Sequence, residues 1–382
     1  MKDQHLSGKQ IDKLLNACFK MDDNDKNIVL LVDVPDAKMP DCDDWRFRRN
    51  FALQWLQSLT KEYGKKRSVQ IYYYPNVGAN NGDLPETMYK INGSTVEIDT
   101  EFLNAHGQEL STAEILTGAQ IVIAMTQLSA TAPLKVLAKI HHFRGATMPN
   151  FTEPMIPALA LDYNKVDERV MYIKKRLDKA VSVDYYFTTP GDKFHFKADV
   201  RNRQAHASSG LMHGKYQVGN LPSGEAYIVP YEGEIEGDPS QSAGTIPVQF
   251  GDEIVLYKVE GNRAIKVLSE GPFSTAEKNM LWDEPAYGNI SELGFGVLDA
   301  FGVKAVGSIL LDEKLGVHIA FGRSEHFGGI VSPDSFNKKE NVVHIDRVYI
   351  PECQKDIRIK SVIFTYEDGT NEAIVADDNY LF

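Results

Sequence analysis

The chain is poor in the features that mark secreted, membrane-spanning and nucleic-acid-binding proteins. It has three cysteines, Cys18, Cys42 and Cys353, an odd number without a CxxC spacing. A disulfide framework is therefore not expected, and a reducing cytoplasm fits best. No run of about 18 apolar residues occurs, so no membrane-spanning helix is expected. Gln120–Met125 is strongly apolar but short, and reads as a buried strand. The first ten residues, MKDQHLSGKQ, lack the apolar core of a secretory leader. Basic residues are outnumbered, with a formal net charge of −12 and a pI near 5.4, which argues against nucleic acid as the main partner. The turn after the first apolar run reads DVPDAKMP. With neither GxGxxG nor GxxxxGK[ST] there, no nucleotide site is assigned.

What remains is an ordinary globular composition, 43% hydrophobic and 25% charged, over 382 residues, enough for two domains with real cores. Helical and strand patterns alternate through the first half. Ser7 is placed to cap a helix bearing Ile11, Leu14, Leu15, Cys18 and Phe19 on one face, and Ile28–Val32 reads as a strand covered on both faces. Asp43 or Asp44 caps a helix that stops at Gly64, and Val69–Tyr74 reads as a further strand. Such alternation implies an α/β domain with a parallel sheet. From about Val181 the pattern becomes short β-like runs separated by Gly and Asp turns, with one helix from Thr275 to Trp282 capped by Ser274 or Thr275. The expected organisation is an N-terminal parallel-sheet α/β domain, residues 1–180, followed by a β-rich α+β metal-binding domain, residues 181–382.

The segment NVVHID, residues 341–346, carries the strongest chemical signal. On a strand, His344 and Asp346 project to one face while Val343 and Ile345 turn to the other. An imidazole beside a carboxylate is half of a divalent-metal site. His318, in the apolar run GVHIAFG, and Glu225 and Glu292, in glycine-flanked segments, are candidates for the other half. Each alone reads more simply as a hydrogen-bonded core histidine, a solvated glutamate or an edge-strand ion pair. Burying Asp346 without a cation, however, would cost roughly several kcal/mol. Three carboxylates and a bridging hydroxide balance two divalent ions, whereas one ion held by His318, His344 and Asp346 leaves two glutamates idle. The surplus favours a dinuclear site that generates hydroxide near neutral pH.

At these residues the chain resembles the metallo-aminopeptidases of the aminopeptidase T (thermophilic aminopeptidase) family. The resemblance runs from about Gly145 to Asp346. NLPSGEAYIVP (220–230) resembles the family segment whose glutamate binds metal, here Glu225. SELGFG (291–296) is similar to a GELGIG-like segment and supplies Glu292. DEKLGVHIAFG (312–322) is similar to the segment that supplies His318, and the HxD strand corresponds to His344 and Asp346. The resemblance implies a dimeric enzyme with two zinc, cobalt or manganese ions that releases N-terminal amino acids from peptides or small amides. Two departures stand out. The family often has a metal-contacting tyrosine seven residues after the third motif's histidine, where this chain has Glu325 followed by His326, making Glu325 a candidate additional ligand. The family's asparagine after the second motif is replaced around Val297 and Leu298.

Glu313, in the turn leading to His318, is a candidate general base, or else an ion-pair partner of Lys314 or Arg323. Arg323 and His326 are candidates to bind a substrate carboxylate or stabilise an oxyanion. The rival reading is a mononuclear non-haem Fe(II) dioxygenase acting on an aromatic or heteroaromatic ring. His318, His344 and Asp346 form its two-His-one-carboxylate set, and the 2,5-dihydroxypyridine dioxygenases, similar in fold to these aminopeptidases, use such a triad. A non-catalytic binding protein on the same scaffold is a third reading.

Overall fold

The computed structural model describes residues 5–93 and 95–382. The chain divides into two compact units. One comprises Met1–Asp167 with Ser208–Ser223, the other Glu168–Ala207 with Gly224–Phe382.

The N-terminal unit is a seven-stranded sheet flanked by helices. Asn27–Val34 lies between Ser68–Pro75 and Ile121–Ala124, and all three run parallel. Arg144–Thr147 extends the parallel set, and Thr87–Lys90 and Gln108–Ser111 close the other side in antiparallel pairing. The strand Val218–Asn220 pairs in parallel with Arg144–Thr147, so a segment from late in the chain completes this sheet. That pairing makes the unit discontinuous, where pattern alone suggested a single boundary near residue 180. The helix Gly8–Phe19 has the expected capping box, with Ser7 accepting from the Gln10 amide and its own amide donating to the Gln10 side chain. Asp43 and Asp44 are first-turn residues of Asp43–Tyr63, whose N-cap is Cys42, with no side-chain cap. The turn after Asn27–Val34 is organised by Asp33. Its carboxylate accepts from Trp45 Nε1 at 2.9 Å and from the amides of Gln127 (2.8 Å) and Leu128 (3.0 Å).

The C-terminal unit is β-rich. An eight-stranded antiparallel sheet includes Ala180–Thr188, Lys193–Asp199, Ala243–Phe250, Glu253–Glu260 and Arg358–Tyr366. Ala243–Phe250 tolerates Pro247 because its pairing with Lys193–Asp199 covers only Ala243 and Gly244, beyond which that side of the ladder needs no donor. The expected helix runs Pro272–Asp283, and neither Ser274 nor Thr275 caps it. Glu253 does so from a distance, accepting from the Phe273 amide at 3.0 Å and the Ser274 amide at 2.6 Å. A five-stranded sheet in the order His344–Val348, Val317–Gly322, Ile290–Gly296, Glu225–Ile228, His206–Ser208 carries the candidate site. Among the described residues no helix is long and apolar enough to cross a membrane.

Candidate metal centre

Antiparallel register brings the five expected ligands together. Glu225 lies opposite Gly296, His318 opposite Gly294 and His344 opposite Gly322, while Glu292 and Asp346 flank Ala320 from either side. Directly opposed residues share a face, as do residues two apart on one strand. Glu225, Glu292, His318, His344 and Asp346 therefore project from one face, each opposite a glycine or an alanine. The other face carries Leu293, Phe295, Ile319 and Phe321, all buried in the core. The small residues are a steric requirement. A β-carbon on Gly294 would overlap the His318 ring, and one on Gly296 would overlap the backbone of Lys314. The Gly296 amide donates to the Gly316 carbonyl at 2.9 Å, holding the Glu313–Leu315 turn against the strand.

Glu292 sits between the two imidazoles. Its Oε1 is 3.4 Å from His318 Nε2 and its Oε2 is 3.2 Å from His344 Nε2. Glu225 Oε2 faces His318 Nε2 at 3.5 Å, and Asp346 Oδ1 faces His344 Nε2 at 3.5 Å. Two metal-competent groups result, Glu225/Glu292/His318 and Glu292/His344/Asp346, with ligand atoms within 4.8 Å of one another and Glu292 common to both. Each histidine is oriented through its other nitrogen. His318 Nδ1 lies 3.3 Å from the Gly316 carbonyl, and His344 Nδ1 lies 2.8 Å from the Arg323 carbonyl. A carbonyl can only accept, so both Nδ1 atoms donate and both Nε2 atoms turn to the carboxylates, as metal-binding histidines do. Glu225 Oε2 and His318 Nε2 are buried and have no hydrogen-bond partner among the described residues. Unsatisfied, mutually facing and of the right chemistry, these atoms fit a divalent cation.

The electrostatics agree. Burial opposes protonation of His318, but the Glu292 and Glu225 carboxylates outweigh it and raise its pKa to about 9. His344 is raised well above its ordinary value by Asp346 and Glu292 against the same burial cost. Burial also disfavours the Glu292 and Asp346 anions, yet the facing imidazoles pull Glu292 down to about 2 and depress Asp346 further. In the absence of metal, protons on the imidazoles supply the positive charge that the carboxylates demand.

Sequence reasoning treated Lys314 only as a possible ion-pair partner of Glu313. Its ammonium, 2% exposed, is hydrogen-bonded to both Glu225 and Glu313, bringing a positive charge into the carboxylate cluster. The sequence signal was its place in the turn four residues before His318, between two acidic residues and an apolar run. Glu313 belongs to neither metal group. Burial first, then Asp346 and Glu225, push its carboxyl up to about 8 despite Lys314. Glu325 also lies outside both groups, its carboxylate held by Arg323 (Nε–Oε2 2.6 Å) with His326 Nδ1 at 3.4 Å. The His326 ring centroid is 5.3 Å from that of His344, and burial together with the His344 and Arg323 charges lowers its pKa to about 4. A neutral imidazole thus stands beside the centre.

No family model matches the chain, and comparison with curated proteins finds no match. Among solved structures, the chain is similar to 2,5-dihydroxypyridine dioxygenase from Pseudomonas putida, with a TM-score of 0.62 and 15% identity over 98% of both chains. It is also similar to AmpT from Thermus thermophilus, with a TM-score of 0.54 and 13% identity over 98% of both chains. At these identities the likeness establishes a shared fold, an α/β unit and a β-rich unit. The resemblance to aminopeptidase T read from the motifs is, at this level, a distant structural one.

Proposed function

We propose that this protein is a dinuclear metal-dependent hydrolase that releases N-terminal amino acids from peptides. One observation carries the reading: the two oxygens of Glu292 face two different imidazoles, giving two ligand groups that share one carboxylate. A single-ion site has no use for that arrangement. Glu225 and His318 would hold one ion, His344 and Asp346 the other, with Glu292 between them. When bound, the ions supply Lewis acidity and a water acidified toward neutral pH. Charge balance favours the pair, because Glu225, Glu292 and Asp346 together with one hydroxide would offset two divalent ions.

The chain's own residues divide the remaining work. The Gly316 and Arg323 carbonyls hold the imidazoles in the tautomer that presents Nε2. Glu313, at the edge of the cluster and outside both groups, is assigned to carry a proton between water and the leaving amine. His326, neutral and adjacent to His344, is assigned to donate a hydrogen bond to the polarised carbonyl oxygen. Arg323 is held by Glu325 and positions the segment that orients His344. A homodimer is the form that the motif resemblance suggests, and the few cysteines without CxxC spacing fit a reducing cytoplasm.

A second reading rests on Lys314. Its ammonium already engages Glu225, and if it stays there a single iron would be held by His318, His344 and Asp346, the two-His-one-carboxylate set of a non-haem Fe(II) dioxygenase. Metal content decides between them in protein purified without chelator or nickel affinity resin. The hydrolase predicts two zinc, cobalt or manganese ions per chain and turnover of leucine p-nitroanilide, with Glu225→Gln losing one ion and the turnover together. A single iron per chain, with oxygen uptake on a dihydroxypyridine, would replace the first reading with the second.

A further inference from the structure

A second concave site lies in the same unit, and none of its lining residues belongs to either metal group. It is a cavity of about 390 Å³, within the size range of small-ligand pockets. Its walls mix polar and apolar groups, with Val303, Leu315, Val317, Ile350 and Ile359 forming the aliphatic part. Val317 precedes His318 on its strand, so its side chain points to the opposite face from the metal ligands.

Arg169 and Tyr380 line this cavity, and each carries a buried donor without a partner among the described residues. These donors are Arg169 Nε and the Tyr380 hydroxyl. Arg169 makes no ion pair there either, and its guanidinium stacks on the Phe382 ring at 4.7 Å. Three acids line the cavity as well, Asp299, Asp378 and Glu352. Asp299 pairs with Lys304 at 3.0 Å, and Asp378 accepts from the Ile359 amide at 2.7 Å. Such donors carry a desolvation penalty until an acceptor arrives, and a guanidinium beside a phenol matches a carboxylate.

We propose that this cavity is a binding site for a small monocarboxylate with an apolar body, its carboxylate held by Arg169 and Tyr380 and its hydrocarbon part packed on the aliphatic walls.

The test is calorimetric titration of the purified, metal-replete protein with phenylacetate, with the neutral isostere phenylacetamide as control. Phenylacetate should bind saturably, one per chain, and phenylacetamide at least about tenfold more weakly. Arg169→Gln should weaken phenylacetate by a similar factor, and Tyr380→Phe by a few-fold, both with unchanged metal content. Unchanged metal content also shows that the variants fold, and weakened binding in Arg169→Gln separates this cavity from carboxylate ligation at the metals. Absence of saturable binding at tens of millimolar phenylacetate would overturn the proposal. So would equal binding of the amide, or Arg169→Gln binding phenylacetate as wild type does.

Discussion

Asp33 in the N-terminal unit and Glu292 in the C-terminal unit are both buried carboxylates at the end or centre of a sheet, and they are satisfied in opposite ways. Asp33 receives two backbone amides and an indole N–H, all fixed by the fold. Burial raises its pKa to about 6, and those donors together with Arg48 limit the rise. Among the described residues Glu292 receives no backbone donor, and its oxygens face two imidazoles, of which His318 Nε2 has no hydrogen-bond partner. A carboxylate saturated by the main chain is a structural element. One that faces only other ligand atoms is poised for a cation.

The comparison can be broken most sharply at Lys314. Lys314→Met leaves Glu225 and Glu313 buried without a counter-charge and should destabilise the metal-free protein by about 3–5 kcal/mol. If metal can take over that charge, saturating zinc should recover much of the loss in a thermal melt. A loss that zinc leaves untouched would make Lys314 purely structural. Next in size is the paired substitution of the two carboxylates. Asp33→Asn turns an amide group toward backbone donors and should cost about 1–3 kcal/mol in urea unfolding while leaving metal content unchanged. Glu292→Gln should instead lower metal affinity by at least about a hundredfold, and in the metal-free protein it also removes a counter-charge of His318 and His344. If both variants behaved alike, the distinction would fail.

The smallest effect concerns pH. His318 rises from 6.5 to about 9 and Glu313 from 4.5 to about 8 on folding, so each binds its proton more tightly in the folded chain. Their stabilisation is complete below the unfolded values and lost as pH rises through the folded ones. Metal-free protein should therefore lose stability between about pH 4.5 and 9, first through Glu313 and then through His318, and metal-loaded protein should show a flatter profile there. Chemical denaturation across that range, with and without metal, measures the difference.

Much of the site was legible because strand geometry is local. His344 and Asp346 share a face for the same reason that any residues two apart do, and the glycines beside Glu225 and Glu292 mark where backbones and rings approach closely. Lys314 was harder to read. Nothing in DEKLGVH states that the ammonium turns inward, because its direction is set by the packing of the turn against Gly296. Glu325 looked equally suited to metal, but Arg323 two residues away captures it. The Pro272–Asp283 helix escaped a correct start for a similar reason, since its cap comes from Glu253, twenty residues earlier on a strand.

The amino-acid sequence by itself determined the alternation of helix and strand, the change to β-rich structure in the second half, and the inventory of imidazoles and carboxylates, because these depend on periodicity and residue type. Only the tertiary structure decided that Glu292 stands between the two histidines, that Lys314 joins them, and that Val218–Asn220 returns to the first sheet. Each of those depends on strand register across long separations, where a shift of one residue would turn every ligand to the opposite face.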